Sequence, residues 1–393
     1  MKLISIFFLL CLALHGSKSK EATKRKSYEE LYVIAKNSYL ANDWRNCITY
    51  MKASLAAFAN HRRIVKDCRM GCDALEGTAN ANLSASLIGY DETMRFYETL
   101  INQTLCMMKC KRRKLGSYEN PHPDPSIVRE FNDRLTYDYL QSCYHKIDEL
   151  KNAANAAFTH LALNHESTVM QDNLKFYMEK DTSLKYEELV NLETLSYVKS
   201  FREGIDAYEK KDFESVIRFF EIGVKEYLDA WRVCRLNCDK PFDMGWFPDF
   251  MTSTANHFTY CLRCKQKCVT QLANLDGEYY HDIFPLMYHH LQFAYYKKND
   301  IRKSTEALES YLILYDSEEV STNKKYFLDL PEIKATGEKE WFVPRKEALE
   351  YLEVIKRDND LIQSIEDNFK FDDDPQDKDG PLPPETDSGK TEL

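Results

Sequence analysis

Residues 28–58, YEELYVIAKNSYLANDWRNCITYMKASLAAF, can be laid over residues 197–227, YVKSFREGIDAYEKKDFESVIRFFEIGVKEY, at a constant offset of 169. Trp44, Cys47, Ile48, Met51, Leu55 and Phe58 then fall on Phe213, Val216, Ile217, Phe220, Val224 and Tyr227. Side chains at these spacings share one stripe of a 3.6-residue helix, so each stretch predicts an amphipathic helix. A short polar break, Asn42-Asp43 or Lys211-Asp212, precedes each stripe and follows an apolar-periodic segment carrying Tyr39 or Tyr208. Helix, tight polar turn and amphipathic helix make the unit of a tetratricopeptide-like hairpin.

A second pair of hairpins repeats in the same way. Residues 139–163 match 290–314 at an offset of 151, with breaks at Asp148-Glu149 and Asn299-Asp300. The chain therefore reads as an all-α tandem duplication: hairpin, cysteine segment, hairpin, and the same again. Such units cannot bury their apolar faces alone; they stack and leave an extended surface for partners. With 12 Gly and 12 Pro against 25 Tyr and 21 Phe in 393 residues, helix breakers are few and packing residues many.

Between the hairpins lie four C-x3-C pairs: Cys68/Cys72, Cys106/Cys110, Cys234/Cys238 and Cys264/Cys268. Residues four apart on a helix project side by side from one face and cannot bridge to each other. Two such helices packed antiparallel offer two nested bridges. The expected pairs are Cys68 with Cys110 and Cys72 with Cys106, then Cys234 with Cys268 and Cys238 with Cys264. Of the other four, Cys11 lies in the N-terminal apolar run, and three are left over. Cys47 and Cys143 align with Val216 and Ala294 and read as small core residues, whereas Cys261, opposite Gln103, is the candidate for a free or intermolecular thiol. Cys261 and Cys264 also form a C-x2-C, the spacing of redox pairs and zinc knuckles, but neither a βαβ pattern nor a second such pair accompanies it.

The ends of the chain speak of compartment. Lys2 followed by the predominantly apolar run Leu3–Leu14, then Gly16, Ser17 and Ser19, has the form of a secretory signal over residues 1–19. The run is shorter than the roughly 20 residues a membrane span needs. At the other end, residues 369–393 are acidic and Pro-rich and are expected to be disordered, closing on Lys390-Thr391-Glu392-Leu393, one position away from a lumenal retrieval signal. The expected boundaries are thus 20–185 for the first helical half and 186–368 for the second, with a terminal capping helix. An oxidising lumen makes disulfides the default state of the cysteines. Two glycosylation sequons, at Asn82 and Asn102, belong to the same context. Asn102 stands one turn before Cys106, on the face assigned to the bridges, where a glycan is expected to crowd the partner helix.

A net charge of −10 with dispersed Lys and Arg argues against nucleic acid. Ser-His-Asp sets, Gly-rich phosphate loops and HExxH motifs are all missing from the sequence. His122-Pro123-Asp124 has the His-x-Asp spacing of an iron site but lies in a proline-punctuated stretch, Asn120–Pro125, and reads as a loop. The carboxylates Asp372–Asp374 offer calcium only weak, uncaged binding.

The duplicated units with four C-x3-C pairs resemble the leprecan family, and two stretches carry the resemblance further. Met287–Asp300 (MYHHLQFAYYKKND) and Phe342-x-Pro-Arg-x-Glu-Ala348 are similar to family segments, so that the likeness covers roughly residues 27–368. It implies a place in procollagen prolyl 3-hydroxylation. The family's enzymes continue into an iron- and 2-oxoglutarate-dependent dioxygenase domain, for which this chain leaves only about 25 residues after its final helix. The resemblance therefore implies a non-catalytic member needing no cofactor, resident in the endoplasmic reticulum. Its implied partners are a prolyl 3-hydroxylase, a cyclophilin-type prolyl isomerase and procollagen chains. A general lumenal chaperone is the alternative, and a thiol-disulfide enzyme using Cys261 and Cys264 a third reading.

Overall fold

The computed structural model describes residues 25–73, 92–116, 123–239, 249–315 and 317–368. The signal-like segment, Asn82, His122 and the whole of residues 369–393 lie outside the described residues. Sixteen helices carry the described chain: α1 (Tyr28–Leu40), α2 (Trp44–Asp73), α3 (Glu92–Leu115), α4 (Pro125–Asn132), α5 (Thr136–Lys146), α6 (Leu150–Leu161), α7 (Thr168–Lys180), α8 (Ser196–Glu209), α9 (Phe213–Asn237), α10 (Phe250–Leu272), α11 (Ile283–Lys297), α12 (Ile301–Leu314), α13 (Glu318–Leu328), α14 (Pro331–Thr336), α15 (Glu338–Trp341) and α16 (Lys346–Asn368).

Four hairpins, α1/α2, α5/α6, α8/α9 and α11/α12, turn at the four polar breaks by one device. Asn42, Asp148, Lys211 and Asn299 each take a left-handed backbone with φ between 57° and 63°. The following N–H then reaches back to the last turn of the first helix: Asp43 to Ser38 O at 2.9 Å, Glu149 to Tyr144 O at 3.0 Å, Asp212 to Ala207 O at 2.9 Å and Asp300 to Tyr295 O at 3.0 Å. This satisfies carbonyls that a helix end otherwise leaves without partners. Three of the four next residues also cap the second helix. Asp43, Asp212 and Asp300 accept from the N–H of Asn46, Ser215 and Lys303 at 3.3, 3.3 and 3.2 Å. The first helix of all starts from a capping box, Ser27 accepting from Glu30 N while Glu30 accepts from Ser27 N.

The repeat stripes face inward. Cys47, Met51 and Phe58 on α2, and Val216, Phe220, Val224 and Tyr227 on α9, are all buried. Around the first set pack Tyr28, Tyr32, Phe131, Leu140 and Phe158. Around the second, Tyr227 stacks on Phe284 with ring centroids 4.8 Å apart, and Phe220 lies flat on His290 at 5.0 Å. Gly204 on α8 lies directly against α9: an added Cβ there meets the Phe220 ring at 2.7 Å. Because Phe220 is wholly buried, the ring cannot swing away. Gly204→Ala is thus expected to cost about 1–3 kcal/mol despite alanine's better helix propensity, read as a lower denaturation midpoint. An unchanged midpoint contradicts this packing.

The chain forms two compact units. Of the described residues, the first takes those up to Lys199 together with Leu272–His281; the second takes Ser200–Gln271 and everything from Asp282. The inserted stretch Leu272–His281 carries a feature with no counterpart in the all-helical reading, a two-stranded antiparallel hairpin, β1 (Asn274–Leu275) with β2 (Glu278–Tyr279). Its turn is Asp276-Gly277, both with positive φ, the Asp-Gly signature of a two-residue hairpin. Asp276 Oδ1 accepts from Asn191 Nδ2 at 2.5 Å and from the Thr194 hydroxyl at 3.2 Å, and Tyr197 OH donates to Leu272 O at 2.7 Å. These bonds place the hairpin in the first unit.

Candidate functional site

The cysteine segments are not separate elements. The stripe-bearing helix of the first hairpin in each half continues, as α2 and as α9, straight into its own C-x3-C, and α3 and α10 return alongside it. Cys68 bonds Cys110 and Cys72 bonds Cys106, with Cα–Cα separations of 5.7 and 5.8 Å. Cys234 bonds Cys268 and Cys238 bonds Cys264, at 5.8 and 5.6 Å. Each helix pair is held by two bridges one turn apart, which fixes both its register and its antiparallel sense.

One assignment from the sequence is corrected. Cys47 and Cys143 are buried, yet they are not merely core fillers: they form a fifth disulfide, between α2 and α5, across 96 residues of sequence. In the second half the aligned positions hold Val216 on α9 and Ala294 on α11, both fully buried, with no cysteine at either. Reading each cysteine by its apolar counterpart hid that the two occupy facing positions. Asn102 is exposed on α3, and the chain that follows Asp73, toward which the expected crowding was directed, lies outside the described residues.

Cys261 is the one free cysteine among the described residues. It is 4 % exposed, with its sulfur 3.4 Å from Cys238 O and 3.7 Å from His257 Nε2. Burial, then the nearby Asp239 carboxylate, pushes its thiol pKa up, away from reactive thiolate. Cys264, its would-be redox partner, is bonded to Cys238.

Asp124, of the His-x-Asp stretch, caps α4, accepting from the N–H and the hydroxyl of Ser126 at 2.9 and 2.7 Å. Those bonds hold its carboxyl below the usual range, as suits a permanent cap. Among the described residues no group of three His, Cys, Asp or Glu is arranged to hold a metal ion, and no helix is long and apolar enough to cross a membrane. Among the described residues an open groove of about 530 Å³ lies at the α5/α6 turn, lined by Asp148, Glu149, Asn152, Lys180 and Asp181. Its charges already engage each other, Lys180 donating to Asp148 at 2.6 Å.

The segments that carry the family resemblance are structural. Met287, Tyr288, Leu291 and Ala294 of α11 are wholly buried. His290 sits between Tyr208 and Phe220, and burial, with His289 beside it, pulls its pKa down to about 4. An unfolded histidine titrates near 6.5, so between pH 6.5 and 4 the unfolded chain binds a proton that the folded chain refuses. Stability is complete above pH 6.5 and is lost as pH falls through that window. About 1–2 kcal/mol should disappear between pH 7 and pH 5, and His290→Phe should flatten that slope in denaturation curves; an unaltered slope contradicts it. Arg345 of the second segment reaches α9 instead, forking onto Glu221 at 2.6 and 3.0 Å.

The fold and its staples define a class of protein, tandem helical repeats pinned by paired disulfides between neighbouring helices. Residues 27–330 match the TPR-like repeat region of the leprecan family. The chain belongs to that family. It is 26% identical to cartilage-associated protein of Mus musculus over 381 residues, 94% of each chain. It is 28% identical over 360 residues to endoplasmic reticulum protein SC65 of Homo sapiens, covering 90% of this chain and 82% of that one. To prolyl 3-hydroxylase 2 of Mus musculus it is 30% identical over 313 residues, 77% of this chain but only 44% of that enzyme.

Proposed function

We propose that this protein is a non-catalytic helper subunit of procollagen prolyl 3-hydroxylation in the lumen of the endoplasmic reticulum. The observation that carries the reading is the alignment along nearly the whole length of cartilage-associated protein, set against less than half of prolyl 3-hydroxylase 2. The part shared with the enzyme is the repeat region, whose described residues hold buried aromatic cores and disulfide staples. On this reading the repeats bind a prolyl 3-hydroxylase, with a cyclophilin-type prolyl isomerase and procollagen chains as further partners. A partner that binds only the folded hydroxylase raises its stability by mass action.

Residence in the lumen follows from the signal-like residues 1–19 and from Lys390–Leu393, which we assign to retrieval, and is supported by the name of SC65. Asn82 and the exposed Asn102 are the proposed glycan sites. The four staples require an oxidising compartment, which fits the same assignment. A general lumenal chaperone remains the alternative for the client; the buried Cys261 speaks against a thiol-disulfide enzyme.

Incubating the purified chain with Fe2+, 2-oxoglutarate and a collagen peptide tests the non-catalytic half. The expected result is no consumption of 2-oxoglutarate. Turnover by the isolated chain rejects the proposal.

A further inference from the structure

The two stapled helix pairs share one cysteine frame but differ in what covers them. In the second unit, α16 lies across α9 and α10. Tyr351 packs against Trp231 with tilted rings and centroids 4.7 Å apart, Asp358 pairs with Arg235, Asn359 accepts from Gln266 Nε2 at 3.1 Å, and Glu366 stands 3.8 Å from Arg263. An amphipathic helix rich in carboxylates therefore seats on the face that carries Arg235, Arg263 and Gln266.

Counting from the cysteines gives the same face in the first unit. Arg235 follows Cys234 as Arg69 follows Cys68, while Arg263 and Gln266 correspond to Leu105 and Met108. This face of α3 is open. Ile101, Leu105 and Met108 are 58, 45 and 62 % exposed, and their spacing aligns them with Arg112 in one stripe. The stripe runs into a concentrated basic end, Lys109, Lys111, Arg112, Arg113 and Lys114, in a chain whose net charge is −10. The staple brings Arg62, Lys66 and Arg69 of α2 to the same end, because α2 and α3 are antiparallel about Cys68–Cys110. Lys109, Arg112, Arg113 and Lys114 make no ion pair among the described residues. Burial and the neighbouring Arg69 lower the pKa of the half-buried Lys111.

We propose that the outer face of α2 and α3 is a docking surface for an acidic amphipathic helix of a partner polypeptide, seated as α16 is seated on α9 and α10. Its apolar residues would cover Leu105 and Met108, and its carboxylates would meet Arg112–Lys114. A sulfated glycan could use the cations but has no use for the apolar stripe. A second copy of this chain would bring the same cations to the contact, and its own acidic α16 is already engaged. The acidic residues 371–393 carry carboxylates without an apolar stripe of helical spacing. The inference goes beyond the functional reading and does not depend on the hydroxylase being the partner.

The test uses the full-length chain and three fluorescent probes: a designed Leu/Glu amphipathic helical peptide of about three heptads, an oligoglutamate of equal charge, and a heparin-derived oligosaccharide. The proposal expects saturable binding of the amphipathic peptide, weakened by salt. Leu105→Asp/Met108→Asp and Arg112→Glu/Arg113→Glu should each weaken it at least about tenfold. Oligoglutamate should bind at least about tenfold more weakly than the amphipathic peptide. All four positions are exposed, so both variants should melt like the parent; a variant that does not is replaced by Leu105→Gln/Met108→Gln or Arg112→Gln/Arg113→Gln, with the same expectation. No binding of the amphipathic peptide, equal binding to parent and variants, or tight binding of the oligosaccharide without the peptide each overturns the proposal. None of these outcomes bears on hydroxylase partnership, so the two readings fail separately.

Discussion

Replacing Arg345 by Met is expected to lower the unfolding free energy by about 3 kcal/mol, with most of the loss recovered in the double variant Arg345→Met/Glu221→Met. The Arg345 side chain is only 12 % exposed, and its guanidinium forks onto Glu221. Tyr295 OH donates to the same carboxylate at 2.6 Å, and the rings of Tyr288 and Tyr295 flank the cation. The Arg345 N–H donates to Ser310 Oγ at 2.8 Å, so this residue ties the start of α16 to α9, α11 and α12 together. Removing the cation leaves Glu221 half-buried without its main partner, and that penalty dominates over the modest net worth of the pair. Glu221 is 36 % exposed, which keeps the figure at the low end. Burial pushes the Glu221 carboxyl up, but the bonds and charge of Arg345 more than offset this and hold it below the usual range. Its contribution is therefore present above about pH 4.5 and is lost as pH falls through the lowered value. Denaturant unfolding of the four chains of the cycle measures this directly; a single-variant loss under about 1 kcal/mol contradicts the account.

The second large effect concerns the disulfide between α2 and α5. Cys47→Val with Cys143→Ala installs the residues that stand at the aligned positions of the second half. Filling the space in this way keeps the packing but reopens a loop of 96 residues. Chain entropy puts the loss at about 3–4 kcal/mol, somewhat below the value for a bare loop because Cys68–Cys110 already shortens it. Non-reducing peptide mapping of the parent should recover Cys47 linked to Cys143 and Cys261 unlinked. A Cys47–Cys261 or Cys143–Cys261 product, or equal stability of variant and parent, contradicts this.

Periodicity made much of the fold legible. The two offsets, 169 and 151, name the four hairpins, and the polar pairs at their breaks are the residues that turn and, at three of the four, cap in the structure. What periodicity could not reveal was continuity, for a stripe ending at Phe58 and a cysteine pair at Cys68 look like two elements until the single helix Trp44–Asp73 is seen. The β-hairpin at Asp276-Gly277 was signalled by its turn residues and hidden by strands of only two residues each. The division between the units, at Lys199/Ser200 with Leu272–His281 returned to the first, depends on long-range hydrogen bonds to Asp276 and Leu272. Spacing in the sequence carries no trace of those. The open face of α3 was illegible for a similar reason. Its basic run is plain in the sequence, but its meaning comes from α16 covering the corresponding face elsewhere.

If, as proposed, the protein acts through a hydroxylase that it stabilises, one measurement tests this most directly. Deplete the protein from the cells that make it, then quantify prolyl 3-hydroxylase abundance and 3-hydroxyproline in their collagen by mass spectrometry. The account predicts that both fall together, since an unpartnered enzyme loses the stabilisation of binding. Unchanged hydroxylase abundance with unchanged 3-hydroxyproline would contradict it.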